Sequence, residues 1–284
     1  MQAAAQGGVH GLHDWLKTLT ELIAVEPEPA SLPDALEPVR GIIDVERVLQ
    51  AVERHLNAPQ GAWHPEDWRN SHPEFPDKFA LAMFVYTLQD PNVYAPLGDA
   101  LHGPDRASGP GGISVRVRAW LPFAKLLDMA LVEAALIWEY FIGQTFRGVK
   151  YAFPKPTVAE HDPVKYFPKD RDLHWFEFNS SSTEFEVMYR DHFCGKSGPR
   201  TVFTVQSCEG VSIRRFSHFP DEEEVLFRPG AHFRVMASVK KLRAADLGII
   251  RQSTVVFRTT FTCSRCRPIR SCNLRLPGSV FGLC

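Results

Sequence analysis

Residues 202–235 read VFTVQSCEGVSIRRFSHFPDEEEVLFRPGAHFRV. Three runs in and around this stretch are short and rich in β-branched and aromatic residues: RTVFTVQ (200–206), EVLF (224–227) and HFRVMASV (232–239). Runs of this kind, broken by polar or turn-prone segments, read as β-strands. The same texture extends to both sides in TFRGVKY (145–151), LHWFEFN (173–179) and STVVFRTTF (253–261), with CGKSGP (194–199) a turn by composition. From residue 144 onward the chain therefore reads as a mixed or antiparallel sheet.

The half before residue 144 has a different period. Leu12, Trp15, Leu16, Leu19, Leu22 and Ile23 recur at three- and four-residue spacing, the mark of a helix face. VERVLQAVERHLNAP (45–59) and DKFALAMFVYTLQ (77–89) repeat it, each closed by a stop containing proline. GPDRASGPGG (103–112) is a loop, and VRVRAWLPFAKLLDMALVEAALIWEYF (115–141) is a long apolar helix with an interruption expected at Pro122. The fold class is thus α+β: a helical first half packed on a mixed or antiparallel β-sandwich. The expected division is a helical extension at 1–70, a catalytic domain at 71–262 (helical to 143, β from 144) and a poorly ordered Cys- and Arg-rich tail at 263–284.

Bulk numbers narrow the function classes. The 284 residues carry 32 basic and 33 acidic side chains, a net charge of −1, which gives no reason to expect nucleic acid as a partner. No apolar run reaches the roughly 18–20 residues that span a bilayer. The first residues lack a basic segment followed by an apolar one, and all six cysteines lie from Cys194 onward. Both features point to a cytoplasmic protein with reduced thiols.

Three local motifs fall at the ends of expected strands. Phe146-Arg147-Gly148 offers a guanidinium fork for a phosphate or carboxylate, with Gly148 permitting close approach of a ligand to the backbone; an outward-pointing edge arginine is the plainer alternative. Asn179-Ser180-Ser181-Ser182 closes the second run and also reads as a turn or helix cap. Glu222-Glu223-Glu224 precedes Val225, and alternation along a strand places Glu222 and Glu224 on one side and Glu223 on the other.

In FRGVK (146–150), FNSSS (178–182) and EEEVLF (222–227) the sequence resembles the arginine-specific mono-ADP-ribosyltransferases, the Arg–Ser–Glu group. The resemblance runs from residue 75 to 262 and is strongest over 145–240. It implies transfer of ADP-ribose from NAD, with NADP a further donor, to arginine side chains of target proteins, without a metal. Implied roles follow. Glu224 binds the nicotinamide ribose and stabilises the positive charge that develops as the glycosidic bond breaks. Ser180 holds NAD and Glu224 in place, and Arg147 with Gly148 clamps the phosphate region. Glu222 engages the incoming guanidinium, a poor nucleophile because its pKa lies above about 12. Phe216 and Phe219 offer an aromatic surface to the target. The sequence departs from the family at Leu226-Phe227-Arg228-Pro229, where many relatives have Leu-Ile-Pro-Pro, and in the cysteine-rich tail.

Two other functions share these residues: NAD hydrolysis, with water as acceptor, and a degenerate NAD- or protein-binding module. Three decoys weaken on inspection. Gly195-Lys196-Ser197 lacks the earlier glycine of a phosphate loop, since position 190 is Arg. Cys263-x-x-Cys266 with Cys272 and Cys284 lacks a second paired C-x-x-C for zinc. His192 and Cys194 are sequence neighbours, which does not make them a catalytic pair.

Overall fold

The computed structural model describes residues 9–58, 65–103, 106–150, 166–191, 193–195, 200–242 and 256–263. Cys266, Cys272, Cys284, His192, Lys196 and Ser197 lie outside them, and with them most of the expected tail and the decoy motifs. The chain divides into two compact units: Met1–Tyr140 with Trp175–Asn179 and Val211–Ala231, and Phe141–His174 with Ser180–Gly210 and His232–Cys284.

The first unit is helical. Its helices are α1 (Val9–Val25), α2 (Leu32–Leu36), α3 (Val45–Leu56), α4 (Pro65–Ser71), α5 (Asp77–Thr87), α6 (Tyr94–His102) and α7 (Val115–Trp138). Three start at side chains that accept a first-turn N–H: Ser31 from Asp34 at 3.3 Å, Asp44 from Arg47 at 3.0 Å and Ser114 from Val117 at 3.1 Å. Helix α7 packs against α1, α2, α5 and α6. It runs unbroken past Pro122, contrary to the sequence expectation. Proline there removes one intrahelical hydrogen bond; burial of Trp120, Leu121, Phe123 and Ala124 on both sides of it offsets the loss. The helix ends at Trp138, and Glu139, with φ 62°, turns the chain out of it.

Two later segments complete this core. Phe178 is buried in it and its carbonyl accepts from Tyr86 Oη at 3.1 Å. Val211, Ile213, Phe216 and Leu226 belong to the same apolar cluster as α1, α5 and α7.

The strands are β1 (Phe141–Val149), β2 (Asp172–His174), β3 (Asn179–Ser182), β4 (Arg200–Ser212), β5 (Glu224–Phe227), β6 (His232–Leu242) and β7 (Val256–Cys263). Within the second unit, hydrogen bonds link them in the order β3-β1-β4-β7-β6-β2. All pairs are antiparallel except β4 with β7. The mixture of helix and sheet is the expected one. Among the described residues β1 pairs with both β3 and β4.

Two boundaries moved. Of LHWFEFN only Leu173 and His174 lie in β2 and Asn179 in β3, and the serine run that was to end a strand is itself β3. Cys263, assigned to the tail, is the last residue of β7 and lies opposite Phe233.

Candidate functional site

The glutamates belong to the first unit. The end of β4 pairs with β5, Val211 opposite Leu226 and Ser212 opposite Val225. The Ile213 N–H donates to the Glu224 carbonyl at 3.0 Å, which carries the ladder one residue further. All four residues of β5 are buried.

Only Glu224 lies on that strand. Glu222 ends a short 3-10 turn, Pro220–Glu222, and Glu223 adopts the left-handed conformation with φ 47° and ψ 48°. Alternation along one strand is therefore not what relates Glu222 to Glu224. A left-handed residue between them does so by reversing the backbone locally. The outcome resembles the expectation: Glu222 and Glu224 are each 5% exposed, while Glu223 meets Arg214 Nη1 with its Oε1 at 2.9 Å.

The loop before the glutamates is fastened to the helical core. Thr87 Oγ1 accepts from the His218 N–H at 2.8 Å and donates to the Phe84 carbonyl at 2.8 Å. Ser217 Oγ accepts from the Phe219 N–H at 3.0 Å. Partial desolvation pulls the pKa of His218 below its ordinary value. Arg215 lies over the Trp138 ring at 4.5 Å.

Phe216 does not offer a surface to a target. It is 1% exposed, stacked on Phe75 at 5.3 Å, with the edges of Trp68 and Trp138 at 5.9 and 5.5 Å. An aromatic residue with this much apolar area finds the core when the loop passes over it. Phe219 is half-buried, its ring 4.6 Å from that of His218.

At the exit of β5, Arg228 makes a two-pronged ion pair with Asp128 of α7, Nε to Oδ1 at 2.6 Å and Nη2 to Oδ2 at 2.7 Å. Arg228, like Phe227 before it, is a position where the sequence differs from the Leu-Ile-Pro-Pro pattern of the family it resembles.

The basic group belongs to the second unit. Arg147 sits on β1 opposite Phe203 of β4, and its Nη1 donates to the Ser180 carbonyl at 2.6 Å. That bond fixes the plane of the guanidinium fork and joins the first two motifs. Beyond it, Ser182 Oγ accepts from the Glu184 N–H at 2.9 Å and closes β3.

Gly148 was expected to admit a ligand. Its open side is instead filled by protein: a Cβ built there would lie 3.1 Å from Cys194 Cβ and 3.2 Å from Met188 Sδ, with Cys194 Sγ in contact. Met188 and Cys194 form a small apolar cluster with Val187 and Val202, against which Phe146, Phe185 and Phe193 pack. The turn carrying Cys194 is tied by its N–H to the Met188 carbonyl at 3.1 Å and by Arg200 Nη1 to the Gly195 carbonyl. Burial pushes the Cys194 thiol up to about 11, so it stays protonated at neutral pH and is no nucleophile.

A family model described as NAD:arginine ADP-ribosyltransferase matches residues 46–253, most of the chain. The protein belongs to that family. Human ecto-ADP-ribosyltransferase 5 is 26% identical over 240 residues, 80% of this chain and 76% of the relative. Mouse T-cell ecto-ADP-ribosyltransferase 2 is 44% identical over 54 residues, 19% of this chain and only 18% of that protein's length.

Two solved structures share the fold. The type III effector XopAI of Xanthomonas axonopodis pv. citri, truncated at its N-terminus, superposes with a TM-score of 0.52 at 18% identity, over 88% of this chain and 98% of that one. A variant of the eukaryotic mono-ADP-ribosyltransferase ART2.2 in complex with NAD gives 0.51 at 18% identity, over 95% and 93%.

Within this family member, sequence reasoning missed Arg214, the Arg228–Asp128 pair and the Cys194–Met188 packing. The first has a signal in retrospect: once Ser212 is set opposite Val225, register alone sets Arg214 opposite Glu223. The Arg228–Asp128 pair joins residues far apart in the chain and leaves no local trace; the Cys194–Met188 packing is a contact across one turn.

Proposed function

We propose that this protein is a mono-ADP-ribosyltransferase that moves ADP-ribose from NAD to arginine side chains of target proteins and releases nicotinamide. The observation that carries the reading is the pair of buried carboxylates, Glu222 and Glu224, separated by a glutamate turned outward onto Arg214. A single carboxylate suffices to stabilise a sugar cation. A second, two residues away in the chain and also shielded from water, suits an acceptor that must be oriented and deprotonated.

In this mechanism the bond between C1′ of the nicotinamide ribose and the nicotinamide nitrogen breaks, and its electron pair leaves with nicotinamide. Positive charge develops on the ribose, and Glu224 stabilises it in a low-dielectric setting where a fixed charge counts for more than in water. A guanidinium nitrogen of the acceptor bonds to C1′ and gives up its proton to Glu222. Arg147 supplies a planar donor fork for the diphosphate, its plane held by the Ser180 carbonyl. NADP presents the same diphosphate to this fork.

Incubation with NAD labelled in the adenosine half, with and without agmatine as a small guanidine acceptor, tests the proposal. The expected result is nicotinamide release together with an ADP-ribosyl-agmatine adduct. Free ADP-ribose alone would replace transfer by hydrolysis, and no nicotinamide release would overturn the enzyme reading. A parallel arm with NADP compares the two donors.

A further inference from the structure

The three consecutive glutamates are not equivalent, and the middle one extends the ladder that carries Glu224. Val211 faces Leu226 and Ser212 faces Val225. Next, the Ile213 N–H reaches the Glu224 carbonyl at 3.0 Å. One residue further on each side stand Arg214 and Glu223, and there the side chains meet, Nη1 to Oε1 at 2.9 Å. The ion pair is a rung made by side chains where the backbone pairing has ended.

A rung at this point has a specific task. Glu223 holds φ 47° and ψ 48°, a region that costs residues other than glycine and that Asn or Asp enter more readily than Glu. Two restraints keep it there: its N–H donates to the Pro220 carbonyl at 3.2 Å, and its carboxylate is tied to Arg214.

The two flanking carboxylates depend on that conformation unequally. Glu224 is fixed by β5 and by the Ile213 N–H. Glu222 sits off the strand at the end of a three-residue turn, its N–H donating to the Phe219 carbonyl at 3.0 Å, and the chain reaches β5 from there through Glu223. A change at residue 223 therefore displaces Glu222 before it displaces Glu224.

We propose that Arg214 and Glu223 are a positioning pair that sets the placement of Glu222, and through it the use of a guanidinium acceptor, without touching the reacting atoms. This rests on the function proposed above. The side chains are 57% and 29% exposed, so the pair adds little to global stability. Its effect is local and falls on the acceptor step.

The test uses Arg214→Gln, Glu223→Gln and the exchanged double variant Arg214→Glu with Glu223→Arg. Adduct formation with agmatine and free ADP-ribose are measured together, with melting temperature as a control. Each single variant should lose roughly fivefold to tenfold in kcat/KM for agmatine while NAD hydrolysis stays within about twofold of wild type. The exchanged pair should recover most of the loss.

Unchanged partition in the single variants, equal loss of transfer and hydrolysis, or an exchanged pair no better than the singles would each overturn the inference while the proposed function stands. A wild-type protein that modifies no agmatine would remove the function and the inference with it.

Discussion

The acidic group of the first unit and the basic group of the second are held by opposite means. Glu224 opens a strand buried along its whole length, and the loop before it is anchored by Phe216 inside an aromatic cluster with Phe75, Trp68 and Trp138. Arg147 lies on a strand that is half-buried for most of its length, over a small cluster built on Met188 and Cys194. Glu224 is thus set into the large core of its unit, whereas Arg147 is held by the pairing of β1 with β4 over a smaller cluster of sulfur and aromatic side chains. Substitutions in the first region should separate chemistry from folding. In the second, substitutions in the packing beneath β1 should mix the two.

Glu224→Gln is the sharpest break. It removes a charge and keeps the volume, so transfer and hydrolysis should both fall by about 10²–10³ or more, the range seen when a preorganised charge-stabilising group is lost. The melting temperature should move by only a few degrees. Near-normal nicotinamide release would show that the buried carboxylate of β5 is not the one that stabilises the ribose.

Glu222→Gln should split the two activities. Transfer to agmatine should drop by about 10²-fold, the lower end for a lost general base, while hydrolysis persists because water needs less orientation than a guanidinium. Parallel loss of both would mean that the glutamate of the turn and the glutamate of the strand act as one unit.

These residues also show how far sequence reaches. EVLF was legible as a strand because its composition and its boundaries agree with its burial. The two glutamates were found, but for the wrong geometric reason. A left-handed glutamate carries no mark in the sequence, since such turns are ordinarily signalled by Gly, Asn or Asp. Asn179–Ser182 was read as a strand end because serines favour turns. Its pairing with Phe146 opposite Ser182 is a long-range contact that local propensity does not encode. Gly148 was read as room for a ligand, when the room is taken by Cys194, 46 positions later in the chain.

Gly148→Ala probes that packing. A methyl group there meets Cys194 and Met188 at distances that neither can accept without moving. Overpacking of this kind costs about 1–3 kcal/mol, visible as a lower denaturation midpoint, and the strain should also weaken NAD binding through Arg147 on the same strand. Adding Cys194→Ala should restore much of both. Wild-type stability in Gly148→Ala would show that this cluster yields easily, and the contrast between the two regions would lose its basis.

Arg147→Lys should be milder. Charge is kept, but an ammonium cannot serve the Ser180 carbonyl and a ligand with one rigid fork. NAD affinity should fall about tenfold, equivalent to ~1.4 kcal/mol, with little change in the unfolding midpoint. Unchanged affinity by calorimetry would return Arg147 to a structural role.

The smallest effect is expected at Arg228, at the exit of β5. Its guanidinium is 38% exposed and its partner Asp128 only 16%, so the pair sits at the margin of the core. Two parallel hydrogen bonds at 2.6 and 2.7 Å tie the exit of β5 to α7, in the geometry for which an ion pair contributes more than the usual surface value. Arg228→Met keeps much of the apolar stem but leaves a largely buried carboxylate without these two donors. We expect a loss of about 1 kcal/mol in unfolding free energy, the scale of a partly exposed pair, and less than a twofold change in kcat, because Glu224 lies at the other end of the strand and is held by its own rung. Arg228→Met combined with Asp128→Asn should recover part of the stability, since the stranded charge is gone. If Arg228→Met instead lowers kcat as much as Glu222→Gln, the strand is placed from its exit rather than from its entry. The weight given to Arg214 and Glu223 would then have to move to Arg228 and Asp128.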